Sequence, residues 1–174
     1  MKFDFSGKTC VVAGGASGMG RSIAQELANA GAAVCVADLN LTGAEAFCAE
    51  LRAKGFQAAA FGMDATDLAS VQRTADAIST QFGRIHCLVN SIGIGAKARP
   101  EETLQQTFGR LIQVNLMGMF NSCSSFAEHM IETGGGSIVN IASMSASIVP
   151  AKTRPGRGGE YGLIGYCTSK GGVK

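Results

Sequence analysis

The chain has 174 residues, 46% of them hydrophobic and 16% charged, with 24 glycines spread along its length and a formal charge of +2. That length suits one domain with a real core, and so weak and dispersed a positive charge excludes the basic footprint of a nucleic-acid binder. No window approaches the roughly 18 apolar residues of a membrane span, and residues 1–7 lack a signal-type apolar run, so the expectation is a cytoplasmic protein with no membrane partner.

A β-branched run, Thr9-Cys10-Val11-Val12-Ala13, predicts the first strand, and Ala/Leu spacing predicts a helix over 18–30 that Gly31 closes. Strand two is expected at 33–38, ending on Asp38, with helix two over 42–54 before Gly55. Strand three falls at 57–61, helix three at 67–82, and strand four at 85–89 before Asn90. After Pro100 a long helix is predicted over 101–131, ended by Gly134-Gly135-Gly136, and strand five covers 137–142. A sixth helix is expected to have barely begun at Lys174. Continuously apolar strands imply burial on both faces. The βα alternation therefore predicts an α/β doubly wound parallel sheet of the Rossmann type, with right-handed crossovers. The Pro-, Gly- and Arg-rich stretch 147–165 reads as a surface loop beside the site.

The six cysteines form no CxxC or Cys/His cluster, which argues against a metal site and a redox pair. Cys10, Cys35 and Cys87 lie in apolar runs and are expected to be buried, inert thiols.

Chemistry concentrates at the turns that follow strands. Gly14-Gly15-Ala16-Ser17-Gly18-Met19-Gly20 joins strand one to helix one, where glycines let a backbone approach a pyrophosphate on a helix N-terminus. Its spacing is GxxxGxG rather than GxGxxG, and a tight glycine turn without a ligand has the same look. Asp38, 18 positions after Gly20, can accept from both adenine-ribose hydroxyls and repel a 2′-phosphate, which favours NAD over NADP. A strand-end Asp is otherwise a turn residue. Leu39 offers no cation for a 2′-phosphate, and Arg21 is the nearby basic residue that could weaken the preference.

Tyr166 and Lys170 stand at i and i+4 of one helix and so share a face. Lys170 and a cationic nicotinamide would favour the phenolate, making Tyr166 a usable general acid/base, although such pairs also arise by chance. Ser143 follows strand five at the carboxyl edge, where its hydroxyl could donate to a substrate oxygen; a plain loop serine is the alternative. Asn115 is a polar residue in an apolar helix, placed either to bend the helix and bind water or simply to face solvent.

Taken jointly, these features resemble the short-chain dehydrogenases/reductases from about Gly7 to the last residue. Gly14, Gly18 and Gly20, with Ser17 and Met19 between them, resemble that family's cofactor loop. Asp64, followed by Ala65, resembles its adenine-contacting acid, and Asn90-Ser91-Ile92-Gly93 its Asn-Asn-Ala-Gly turn. Asn115, Ser143, Tyr166 and Lys170 match its Asn-Ser-Tyr-Lys tetrad. The resemblance implies an NAD-dependent oxidoreductase that interconverts a secondary alcohol and a ketone, with Tyr166 moving the proton and Ser143 orienting the reacting oxygen. It also implies that Lys170 holds the nicotinamide ribose and that Asn115 supports a water-linked relay. A homodimer or homotetramer built on the last long helices is expected as well. A noncatalytic dinucleotide-binding module, or an inactive fragment of such an enzyme, is the competing expectation.

Three departures stand out. Ala13 and Ser91 replace the family's usual Thr and second Asn, which suggests a polar pairing lost on both sides together. Ser143 and Tyr166 lie 23 positions apart, more than the family has, which places an insertion around Lys152 to Tyr161, with Lys152, Arg154 and Arg157 near the substrate mouth. Tyr161 has Gly165 at i+4 and so cannot replace Tyr166. Finally, the family's C-terminal strands are absent from these 174 residues, so a single truncated domain over 1–174, with strand five as an exposed edge, is expected.

Overall fold

The computed structural model describes residues 3–97, 99–147 and 159–174, with the backbone alone for 159–162. Five parallel strands, β1 (Thr9–Ala13), β2 (Ala33–Asp38), β3 (Ala58–Gly62), β4 (Cys87–Asn90) and β5 (Ser137–Asn140), form one sheet in the order β3-β2-β1-β4-β5. The order reverses between β1 and β4, and a cleft opens there at the carboxyl edge, where doubly wound sheets collect ligands.

Side chains of β1 and β2 alternate between two dry layers. Cys10, Val12, Val34 and Val36 pack on α1 (Gly18–Asn29) and α2 (Leu41–Ala53) through Ala24, Ala28, Phe47 and Leu51. Val11, Ala13, Cys35 and Ala37 face α3 (Leu68–Phe82) and α5 (Gly118–Glu132) through Val71, Ala75, Ile78 and Phe126. Burial of a Val, Leu, Ile or Phe side chain is worth about 1.5–3 kcal/mol, so both layers are needed to hold the sheet. β5 lies at the sheet edge, and Val139 is 46% exposed. Cys10 and Cys35 are buried, whereas Cys87 is only half-buried, contrary to expectation. Cys87 is the register partner of Cys10, and the hydrogen bond between the two thiols, with burial, pushes the Cys10 thiol up.

The structure corrects several boundaries. The long helix expected over 101–131 is two helices, α4 (Leu104–Ile112) and α5, joined by a π turn at Gln113–Met117. It also starts later, because Thr103 and Gln106 form a reciprocal capping box at the first turn of α4. β5 stops at Asn140 rather than 142 because its partner β4 stops at Asn90.

The last helix, α6 (Gly159–Val173), is fully formed rather than barely begun, and it takes in the final part, 159–165, of the stretch expected as loop 147–165. Its glycines hid it, since glycine has poor helix propensity. Gly165 shows their use: a Cβ there would lie 3.0 Å from Leu111 and 3.2 Å from Phe108, so the bare backbone lets α6 close on α4. Of the basic residues expected at the substrate mouth, Lys152, Arg154 and Arg157 lie outside the described residues, and Tyr161 is described in its backbone only.

The paired loss at Ala13 and Ser91 fits what surrounds them. The Ser91 N–H donates to the Ala13 carbonyl at 2.8 Å, so the two turns are joined through the backbone, while the Ala13 methyl is fully buried in the apolar α3/α5 layer. Ala13→Thr would bury a hydroxyl there at a cost of about 1–3 kcal/mol. Its melting temperature is expected to fall by several degrees, and a rise in differential scanning calorimetry would show that a partner for the hydroxyl survives.

Candidate active site

The glycine loop is built by close approach. Gly14 has φ +76°, and a Cβ on it would lie 2.8 Å from the Ser91 carbonyl oxygen, while a Cβ on Gly20 would overlap the Gly14 oxygen. Gly20 thus packs helix against loop instead of lining the cleft. α2, α3 and α4 are each capped by a side chain, from Asn40, Asp67 and Thr103, but Ser17 makes no side-chain cap on α1. The first-turn N–H groups of α1 therefore remain for a ligand at the positive end of the helix dipole.

The cleft has a volume of about 490 Å³. Gly14, Ser17, Gly18 and Met19 line it on the loop side, Asp38 and Leu39 at the end of β2, Asp64 and Ala65 after β3, and Ser91 and Gly93 after β4. Asp38 also supports the loop: its Oδ2 accepts from the Ala16 N–H at 2.9 Å and its Oδ1 from the Asn40 N–H at 2.9 Å. Asp64 Oδ1 accepts from the N–H and hydroxyl of Thr66 at 2.8 and 2.7 Å. Arg21 points away from this end, paired with Glu50 at 2.6 Å and lying 4.4 Å over the Phe47 ring.

Asn90 does not line the cleft. Its buried amide donates to Asn140 Oδ1 at 2.8 Å and accepts from the Ser122 hydroxyl at 2.6 Å, tying β4 to β5 and α5. Asn115 is fully buried, so its surface-exposed reading is excluded. Its Oδ1 accepts from the Ile94 N–H at 2.7 Å, and its Nδ2 donates to the Ile94 carbonyl at 3.1 Å and to Ser169 Oγ at 3.1 Å. The Ser169 hydroxyl in turn donates to the Tyr166 carbonyl at 2.8 Å. These three bonds make the Asn115 side chain a clamp between the turn after β4 and the last helix.

Lys170 is buried one helical turn beyond Tyr166, its Nζ donating to the Ile141 carbonyl at 3.0 Å. A Cβ on Gly93 would meet that Nζ at 3.2 Å, so Lys170 reaches the inner end of the cleft. Burial pulls its pKa down from the ordinary lysine value. Ser143 caps a short 3-10 turn (Met144–Ala146) that packs against α6, with Oγ accepting from the Ser145 N–H at 3.2 Å. Among the described residues neither the Tyr166 phenol nor the Ser143 hydroxyl proton has a hydrogen-bond partner, and neither residue is part of the cleft wall.

Several residues of the cleft and its supports escaped the sequence reading. Ser169 looked like filler between Tyr166 and Lys170. Ile94 and Val114 line the cleft without a polar signal, and so do Arg99 and Arg110, from a segment with no motif. Glu102 accepts from Arg110 Nε at 2.7 Å and Nη2 at 2.8 Å, which holds its carboxyl at about 2. Among the described residues there is no cluster of His, Cys, Asp and Glu that could hold a metal ion, and no helix is long and apolar enough to cross a membrane.

This is a Rossmann-like α/β protein with an open cleft where the strand order reverses. The profile of the short chain dehydrogenase family matches residues 8–174, and the chain belongs to that family. It is 40% identical over 173 residues to a D-threitol dehydrogenase of Mycolicibacterium smegmatis, covering 98% of this chain and 63% of that protein. It is 36% identical over 169 residues to a sorbitol dehydrogenase of Cereibacter sphaeroides, covering 96% of this chain and 60% of that one. The crystal structure of an NAD+-bound xylitol dehydrogenase superposes with a TM-score of 0.85 at 30% identity, covering 97% of this chain and 62% of its own. The chain thus spans less than two thirds of these relatives' length.

The Asn115 clamp makes a direct prediction. Asn115→Ala leaves the Ile94 N–H and carbonyl and the Ser169 hydroxyl short of a partner in a buried site, at a cost of about 2–4 kcal/mol. Urea unfolding should show that loss. A change below about 0.5 kcal/mol, the scatter of neutral surface substitutions, would mean that water replaces the amide.

Proposed function

We propose that this protein is an NAD-dependent oxidoreductase that interconverts a secondary alcohol of a polyol and the corresponding ketone. The observation that carries the reading is the buried ammonium of Lys170, one helical turn beyond Tyr166 and against Gly93 of the cleft wall, on a helix that packs against the short turn capped by Ser143.

The chain's own residues fit a dinucleotide. The uncapped first turn of α1 and the positive-φ glycines at 14 and 18 offer N–H groups to a diphosphate. Asp38 keeps carboxylate lone pairs for the adenine-ribose hydroxyls and repels a 2′-phosphate, and Arg21, held by Glu50, does not offset it. Leu39, Asp64 and Ala65 form the outer wall. A bound nicotinamide supplies the hydride acceptor for alcohol oxidation and the hydride donor for ketone reduction. Tyr166 takes the hydroxyl proton in oxidation and returns it in reduction, Ser143 donates to the reacting oxygen, and Lys170 stabilises negative charge on the phenol oxygen as it develops. The polyol assignment rests on the threitol, sorbitol and xylitol dehydrogenases to which the chain is similar. A homo-oligomer fits the exposed Leu104, Phe108 and Ile164 along α4 and α6.

Tyr166→Phe in the full-length protein should cut turnover about 10²–10⁴-fold, the usual yield of a positioned acid/base, while NADH binding followed by fluorescence persists. Unchanged turnover would refute the assignment. Because burial lowers Lys170, its ammonium is lost before that of an exposed lysine as pH rises, so polyol oxidation should decline at a pH below 10.5. A rate that keeps climbing past that value would remove Lys170 from the reaction. Asp38→Asn keeps an acceptor for Ala16 but discards the charge, so the preference for NADH over NADPH in paired titrations should narrow, and an unaltered ratio would place the selection elsewhere.

A further inference from the structure

Most charged side chains that line the cleft already have partners inside the protein. Asp38 is engaged by the Ala16 and Asn40 N–H groups, and Asp64 by Thr66. Arg110 is held by two bonds to Glu102 and donates to the Lys97 carbonyl at 3.1 Å. Arg99 differs. Its guanidinium has a single ionic neighbour among the described residues, Glu102 at 3.8 Å, and its side chain is 62% exposed, yet it belongs to the wall of the same cleft as the glycine loop.

The backbone that carries Arg99 is nevertheless tied down. Glu102 Oε2 accepts from the Arg99 N–H at 3.3 Å and from the Thr107 hydroxyl at 3.2 Å, and the Glu102 N–H donates to the Arg99 carbonyl at 3.0 Å. With Arg110 gripping both Glu102 and Lys97, the segment before α4 is fastened to that helix on either side of Arg99. A fastened backbone with an unspent five-donor head suits the capture of an anion that arrives from solution.

The charge balance asks for such a group. Asp38 and Asp64 place two carboxylates in the cleft wall, and a ligand diphosphate would add further negative charge. Arg21 is turned away onto Glu50, and Lys170 is buried on the Ile141 carbonyl. We infer that Arg99 is a ligand-binding residue of the cleft, closing from the α4 side onto the diphosphate that the glycine loop cradles from the α1 side. This rests on the dinucleotide reading of the cleft given above.

Isothermal titration of the full-length protein with ADP, adenosine and NADH tests it. Arg99→Ala should weaken ADP and NADH about five- to tenfold, between the effect of an exposed ion pair and that of a charge-assisted hydrogen bond, and leave adenosine unaltered. Arg99→Lys, which keeps the charge without the fork, should recover part of the loss. The salt dependence of ADP binding should also flatten in Arg99→Ala. If ADP binds Arg99→Ala as it binds the parent, the inference is overturned. It is equally overturned if adenosine weakens as much as ADP, which would mean that Arg99 stacks on the base. Failure of the parent protein to bind ADP or NADH at all would instead refute the dinucleotide reading, so the two failures are distinguishable.

Discussion

The site depends on one buried amide. Asn115 bonds both the N–H and the carbonyl of Ile94, and through Ser169 it reaches the backbone of Tyr166. Three separate pieces of chain, the turn after β4, the π turn between α4 and α5, and the last helix, are therefore registered against a single side chain. Asn115 is the buried residue of the π turn at Gln113–Met117, so it is presented at a different angle from that of a regular α-helix. A polar group buried this deeply is tolerable only when fully satisfied. The penalty for losing any one partner is what makes the arrangement specific.

The same economy governs the other end of the cleft. Asp38, proposed above to sort dinucleotides by their 2′ substituent, also holds the Ala16 and Asn40 N–H groups with its two oxygens. Asn40 passes the constraint on by capping α2 through the Gly43 N–H at 3.0 Å. On that proposal, selectivity and loop shape are not independent variables. Replacing the carboxylate with an aliphatic side chain removes the repulsion and the prop together, so a change of cofactor preference needs a residue that still accepts from Ala16.

Much of this was legible in the sequence because it rests on local rules. The strand at Thr9–Ala13, the glycine loop, Asp38 at a strand end and the i, i+4 pairing of Tyr166 with Lys170 each follow from periodicity or from what a turn demands. The misses have equally physical causes. α6 was obscured because Gly165 and its neighbours argue against helix by propensity, while their value lies in close packing on α4, a tertiary fact. The break at Gln113–Met117 was hinted at by Asn115, a polar residue able to bend the helix, but the partner that side chain reaches, the Ile94 peptide 21 positions away in sequence, was not legible. Asn90 was grouped with the cofactor turn because adjacent residues do line the cleft, but its amide faces β5. Arg99 and Arg110 lie in a segment without a motif, and only the fold carries them to the glycine loop.

Lys170 shows what the arrangement costs. The unfolded chain keeps the ammonium hydrated, whereas the folded chain buries it with one carbonyl ligand, and its pKa falls below the free value. Between the lowered folded pKa and the ordinary one, the unfolded state binds more protons, so this residue's contribution to stability improves as pH rises through that window. Below the folded pKa its penalty is present in full. An apolar residue of similar length would fill the same space without that penalty but could not take the role toward the phenol oxygen proposed above for Lys170. A buried cation that opposes folding is what the proposed role would leave behind where packing alone would choose otherwise. The strain is local, because both apolar layers of the sheet, from Val12 and Phe47 on one side to Val11 and Phe126 on the other, are complete beneath it.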